Sequence, residues 1–190
     1  MKSDRWLLAL PVVFLAGMIG AEVWMGRLPF GPDGHFGWWE SNIYSSEQSQ
    51  RFADPYSFSH IVHGLLFYAL LAFLARRAPV RYRLVAAIAL EAGWEVLENS
   101  PVVINRYRAA TIALGYDGDS VLNSASDVLM MALGFLAAAR LRPWASVALA
   151  VTLELGMLLL MRDNLTLNVL MLVYPLEAVR QWQLAARPSG

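Results

Sequence analysis

The chain has 190 residues, of which 57% are hydrophobic and 16% charged, with a formal net charge of zero. That is too apolar for an ordinary soluble domain, the length suits one domain, and the balanced charge gives no reason to expect nucleic acid as a partner. Cysteine is absent, which excludes disulfides, thiolate metal sites and cysteine nucleophiles.

Six apolar segments predict helices at approximately 6–25, 57–75, 84–98, 121–139, 144–161 and 165–181. Most approach the ~20 residues needed to cross a hydrocarbon layer of ~30 Å. The short polar–apolar alternation of barrel strands is missing. The predicted fold is therefore all-α, a polytopic transmembrane bundle of about six helices forming a single integral membrane domain over residues 1–190. The first segment has a basic start (Lys2, Arg5) and small residues at Gly20 and Ala21, as a signal peptide would. Its apolar run is longer than such a peptide needs and no clean A-x-A site follows, so a retained helix is expected.

Two long loops separate these segments. Residues 26–56 mix "GPDGHFGWW" with "SSEQSQRFADP", and Trp38 and Trp39 suit a membrane interface. Residues 100–120 carry "NRYR" and "GYDGDS". An amino terminus inside the cell places Lys2, Arg5, Arg76, Arg77, Arg81, Arg83, Arg140, Arg142, Arg180 and Arg187 in the cytoplasm. Arg27, Arg51, Arg106, Arg108 and Arg162 are then outside. This bias predicts an inner-membrane protein with both termini cytoplasmic and both long loops outside.

Ionisable residues inside a membrane are costly and mark cavities or partners. His60 and His63 share a face of the second segment, and Glu91, Glu95 and Glu98 form a stripe along the third. Asn123 and Asp127 share a face of the fourth, preceded by Asp117, Asp119 and Ser120. Three segments thus bring imidazoles, acids and amides to a similar outer depth. Each has an ordinary reading too. The histidines suit an interface, Glu98 and Asn99 end a helix before Pro101, and Asp119 or Ser120 serves as an N-cap. Glu91 and Glu95 lie too deep for capping, which favours a polar cavity. Glu154 requires a buried partner such as a His or Asn of this group, whereas Glu177 pairs with Arg180.

Two imidazoles with carboxylates suit zinc or a similar divalent metal. The expected ligands are His60, His63 and Glu98, with Glu95 and Asp127 as catalytic acid–base groups. Arg106 and Arg108, with Asn123 and Asp119, are the expected substrate-binding residues, the arginines gripping an anionic lipid headgroup. No HExxH, GxSxG, Walker or dinucleotide motif is present. Without metal, Glu95 or Asp127 would act as base.

The combination "SHIVHG", "GWEVLENS", "NRYR" and "GDSVLNSASD" resembles a bacterial family of multi-pass membrane proteins, uncharacterised protein family 0314, also described as domain of unknown function 2585. The resemblance implies an inner-membrane protein and carries no activity or site residue. From the residues, the expected function is hydrolysis of a membrane lipid or lipid-linked substrate at the outer face. The alternative is a non-enzymatic transporter or accessory subunit, for which Gly134 and the small residues Ala125, Ala137 and Ala138 permit close helix contact.

Overall fold

A computed structural model of the chain describes residues 5–186. Lys2 and Arg187, which enter the charge bias, lie outside the described residues. The described residues are all-helical, with one isolated bridge between Trp39 and Ala53 in the first long loop. Eight helices are described: α1 (Arg5–Trp24), α2 (Ser57–Leu74), α3 (Val80–Glu98), α4 (Pro101–Ala110), α5 (Val121–Ala138), α6 (Pro143–Met161), α7 (Leu165–Val173) and α8 (Glu177–Leu184).

Three of them, α2, α5 and α6, are long and apolar enough to cross a membrane. On α6, Val147, Val151, Leu155, Leu159 and Leu160 are all exposed, and such a large apolar surface suits lipid rather than water. The core lies between α1, α2, α3 and α5, around Met18, Ala87, Ile88, Ala92, Val128, Met131 and Phe135. Glycines set the separation of α2 and α5. Gly64 lies against the backbone of Met131 and Phe135, and Gly134 lies against that of Ile61.

Three expectations need correction. Val80 rather than residue 84 starts α3, because the helix begins directly after Pro79 and carries Arg81 and Arg83 in its first turns. The long polar side chains lower hydropathy without disfavouring helix. The second loop contains α4: Ser100 caps it by accepting from Val103 N, and Pro101 occupies its first turn. Ser-Pro read as a stop for α3 is equally a start signal for the next helix.

The third correction concerns the last segment, which is two short helices. Tyr174 and Pro175 end α7, since proline has no N–H to donate and restricts the residue before it. α8 then turns back: the Gln183 amide donates to Arg162 O at 2.9 Å and to Asp163 Oδ1 at 3.0 Å. The Tyr56 hydroxyl at the start of α2 also donates to Asp163, at 2.9 Å. The α7–α8 hairpin thus starts and finishes at the end of the bundle where α2 begins. α1 starts at the opposite end of the bundle.

Asp163 is the anchor of that hairpin. Burial lifts its carboxyl to about 6, although Tyr56, Asn164, Gln183 and Asn168 all donate to it. Between about pH 4 and pH 6 the folded chain therefore holds a proton that the unfolded chain has released, and stability falls as pH rises through this window. Hydrogen exchange in α7 and α8, corrected for intrinsic rates, should slow from pH 7 to pH 5. The same change in Asp163→Asn would exclude Asp163 as the cause.

Candidate functional site

The turn between Leu74 and Val80 makes α2 and α3 antiparallel neighbours. Residues equally distant from Arg77 then face each other, and His63 and Glu91 are both fourteen positions away. The structure bears this pairing out. His63 Nδ1 lies 3.0 and 3.1 Å from the two oxygens of Glu91, and His60 Nδ1 lies 2.6 Å from Glu91 Oε1. One fully buried carboxylate thus serves two imidazoles. The rings are 5.0 Å apart, and Phe67 and Trp94 flank that of His63, which restricts its orientation.

Glu95 and Asp127 complete the centre. Glu95 Oε1 lies 3.5 Å from His60 Nδ1, and Asp127 Oδ2 on α5 lies 3.7 Å from His60 Nε2. Both oxygens of Glu95 and Oδ1 of Asp127 are buried without a hydrogen-bond partner among the described residues. Leaving a carboxylate so is expensive. Two sets could hold a cation, with donor atoms within 4.8 Å of one another: His60, His63 and Glu91, and His60, Glu95 and Glu98.

Asn99 fixes the loops around the centre. Its amide nitrogen donates to Glu95 O, Asp119 Oδ2 and Ser124 Oγ, and its oxygen accepts from Asp119 N at 2.6 Å. Burial and the neighbouring Glu98 carboxylate push Asp119 well above the usual range, while Tyr116 donates to it. Asn123 donates to Arg51 O at 2.8 Å. Asp119 and Asn123 therefore hold loops in place as well as facing the cavity.

That cavity has a volume of about 1120 Å³ and is lined by His60, His63, Glu98, Asp119, Asn123 and Asp127 among others. Glu91 and Glu95 lie behind its surface, both fully buried. Of the residues expected from sequence, His60, His63, Glu95 and Asp127 converge, and Glu98 lies at the edge of the group.

Arg106 and Arg108 do not line the cavity. Arg106 Nε donates to Leu172 O at 2.8 Å, and Arg108 donates to Tyr116 O and pairs with Asp117. The reason is the unexpected α4, since residues two apart in a helix point to different sides. Glu154 meets no histidine in these contacts. Its carboxylate accepts from Leu165 N, Thr166 N and the Thr166 hydroxyl at the start of α7.

Two residues at the site were given no role from the sequence. Glu91 was legible from the hairpin register just described. Arg27 reaches the cavity from the first loop, and no local pattern in the sequence announces it.

Residues 22–185 match the model of a family described as "Protein of unknown function (DUF2585)". The chain is 50% identical over 178 residues to a UPF0314 protein of Sphingopyxis alaskensis, covering 94% of each. It is 53% identical over 182 residues to UPF0314 protein R03235 of Rhizobium meliloti, covering 96% of this chain and 92% of the relative. A UPF0314 protein of Paracoccus denitrificans is 50% identical over 184 residues, with 97% and 94% covered. No solved structure matches the chain.

Proposed function

The chain belongs to the DUF2585 family of proteins of unknown function, and we propose that it is an inner-membrane hydrolase acting on a lipid or lipid-linked ester. A divalent metal would be held by His60, His63 and Glu91, with Glu95 as the acid–base group. The buried, unpartnered carboxylate of Glu95 beside His60 carries this reading. A dication offsets the negative charge gathered around two imidazoles, and two histidines with one glutamate are a donor set of hydrolytic zinc sites.

Bound metal supplies Lewis acidity and makes water a stronger acid. The water oxygen attacks the ester carbon or phosphorus, and Glu95 takes the proton released. The bond to the leaving oxygen breaks, and that oxygen receives the proton from Glu95. Asp127 faces the second imidazole nitrogen of His60 at 3.7 Å, an ion-pair distance too long for a direct hydrogen bond. Glu98 is replaced by Glu91 as the third ligand, because Glu91 alone contacts both histidines.

Helix lengths support five crossings, by α1, α2, α3, α5 and α6, with the amino-terminal end cytoplasmic. Arg76, Arg77, Arg81, Arg83, Arg140 and Arg142 then stay inside, in line with the positive-inside bias. α4, α7 and α8 lie at the outer face with the cavity.

Purified protein supplied with zinc and a bacterial polar lipid extract should release a lipid fragment detectable by mass spectrometry. Glu95→Gln should retain metal and lose turnover by ~100-fold or more, the scale of an acid–base group. Wild-type turnover by that variant would overturn the role of Glu95 and the hydrolytic reading with it.

A further inference from the structure

The cavity is open at its side as well as at its polar end. α3 contributes Leu90, Gly93, Trp94 and Leu97 to its lining, positions spaced to form one helical face. α7 contributes a face of the same spacing, including Leu165 and Val169. Yet Leu90 is 47% exposed, Leu97 51% and Val169 51%. These lining side chains stay about half exposed, so no described residue seals the stretch between α3 and α7. A Cβ on Gly93 would meet nothing within 4 Å. A site for a water-soluble compound has no use for an apolar side opening at the depth of a bilayer. An acyl chain does.

The polar end differs. Arg27 is the one lysine or arginine among the cavity-lining residues. One terminal nitrogen of its guanidinium donates to Asp117 O, while the buried Nε has no partner. Glu22 on α1 lies near it, and Asp117 itself is paired with Arg108. Planar guanidinium N–H groups suit phosphate oxygens. The volume of about 1120 Å³ exceeds the ~300–1,000 Å³ usual for a small-molecule site, leaving room for a head and part of a chain.

We propose that the cavity admits an anionic phospholipid sideways from the outer leaflet, with one acyl chain between α3 and α7 and the phosphate on Arg27. This deepens the hydrolase reading by naming its substrate class and the residue that selects it. The His60–His63 centre then lies between head and chain, where the ester linkages of such a lipid are found.

Native mass spectrometry of the full chain in detergent tests this, with phosphatidylglycerol, diacylglycerol and glycerol 3-phosphate as probes. Phosphatidylglycerol should be retained roughly tenfold better than diacylglycerol, which lacks the phosphate, the scale of one charge-assisted contact. Arg27→Gln should reduce that ratio to near one. Gly93→Trp and, separately, Leu97→Trp should lower retention of both lipids, whereas Val147→Trp on the exposed face of α6 should not. Equal retention of both lipids by wild type would overturn the anionic selection. Full retention by both gap variants would overturn the side opening, and displacement of lipid by glycerol 3-phosphate alone would assign the site to a soluble phosphate. Metal content separates this proposal from the hydrolase reading. The gap variants should keep their metal, and Glu91→Gln, whose carboxyl lies behind the cavity surface, should lose metal while retaining lipid.

Discussion

Gly64→Leu should yield less folded protein in the membrane than wild type, and Gly134→Leu should do the same. At each glycine, an added Cβ meets the backbone of the opposite helix, which cannot rotate away as a side chain would. The helices must separate, and overpacking of this kind costs ~3 kcal/mol or more. For a chain of this size that corresponds to a fall of roughly 10 °C in the thermal midpoint. The damage reaches the site because α2 carries His60 and His63 while α5 carries Asp127. Gly93→Ala is the control. Its Cβ has open space, and alanine is favoured over glycine in a helix by ~0.5–1 kcal/mol. Midpoints measured in detergent should therefore drop for the first two variants and hold or rise for the third. Equal midpoints for Gly64→Leu and wild type would mean that α2 and α5 are not in close contact.

Glu91→Ala should weaken metal binding by more than ~100-fold, beyond the 10–100-fold usual for an outer-shell partner. Glu98→Ala should change it far less. Glu91 contacts both imidazoles, whereas Glu98 belongs only to the alternative set with His60 and Glu95. Glu91→Gln keeps an oxygen acceptor for the histidines and tests ligation with less disturbance to packing. Zinc titration by calorimetry distinguishes the carboxylates. A larger loss from Glu98→Ala than from Glu91→Ala would move the metal to the second donor set.

The sequence made the helical bundle and most of its centre legible, for identifiable reasons. Long apolar runs announce α2, α5 and α6 directly, and polar residues within such runs are rare enough to stand out. His60, His63, Glu95 and Asp127 were therefore visible before their contacts were. Glu91 was visible as part of the stripe, but its role depends on pairing α2 with α3 about the turn at Arg77. Hydropathy alone does not supply that step. Ser100–Pro101 carries the signals of one helix ending and another starting, so α4 was taken for loop and Arg106 and Arg108 for neighbours on one side. Pro175 interrupts an apolar run whose composition otherwise suits a crossing helix, and the contact that reverses the chain, Gln183 with Asp163, joins residues twenty positions apart. Arg27 reaches the cavity only through the path of the first loop, which no periodicity encodes.

The metal content of wild-type protein, purified from its own membrane without added metal, tests the centre most directly. About one equivalent of a divalent transition metal per chain is expected, lost in His63→Ala while that variant remains inserted and folded. Wild-type protein that carries no metal, and takes up none when zinc is added at neutral pH, would contradict a metal centre at His60, His63 and Glu91.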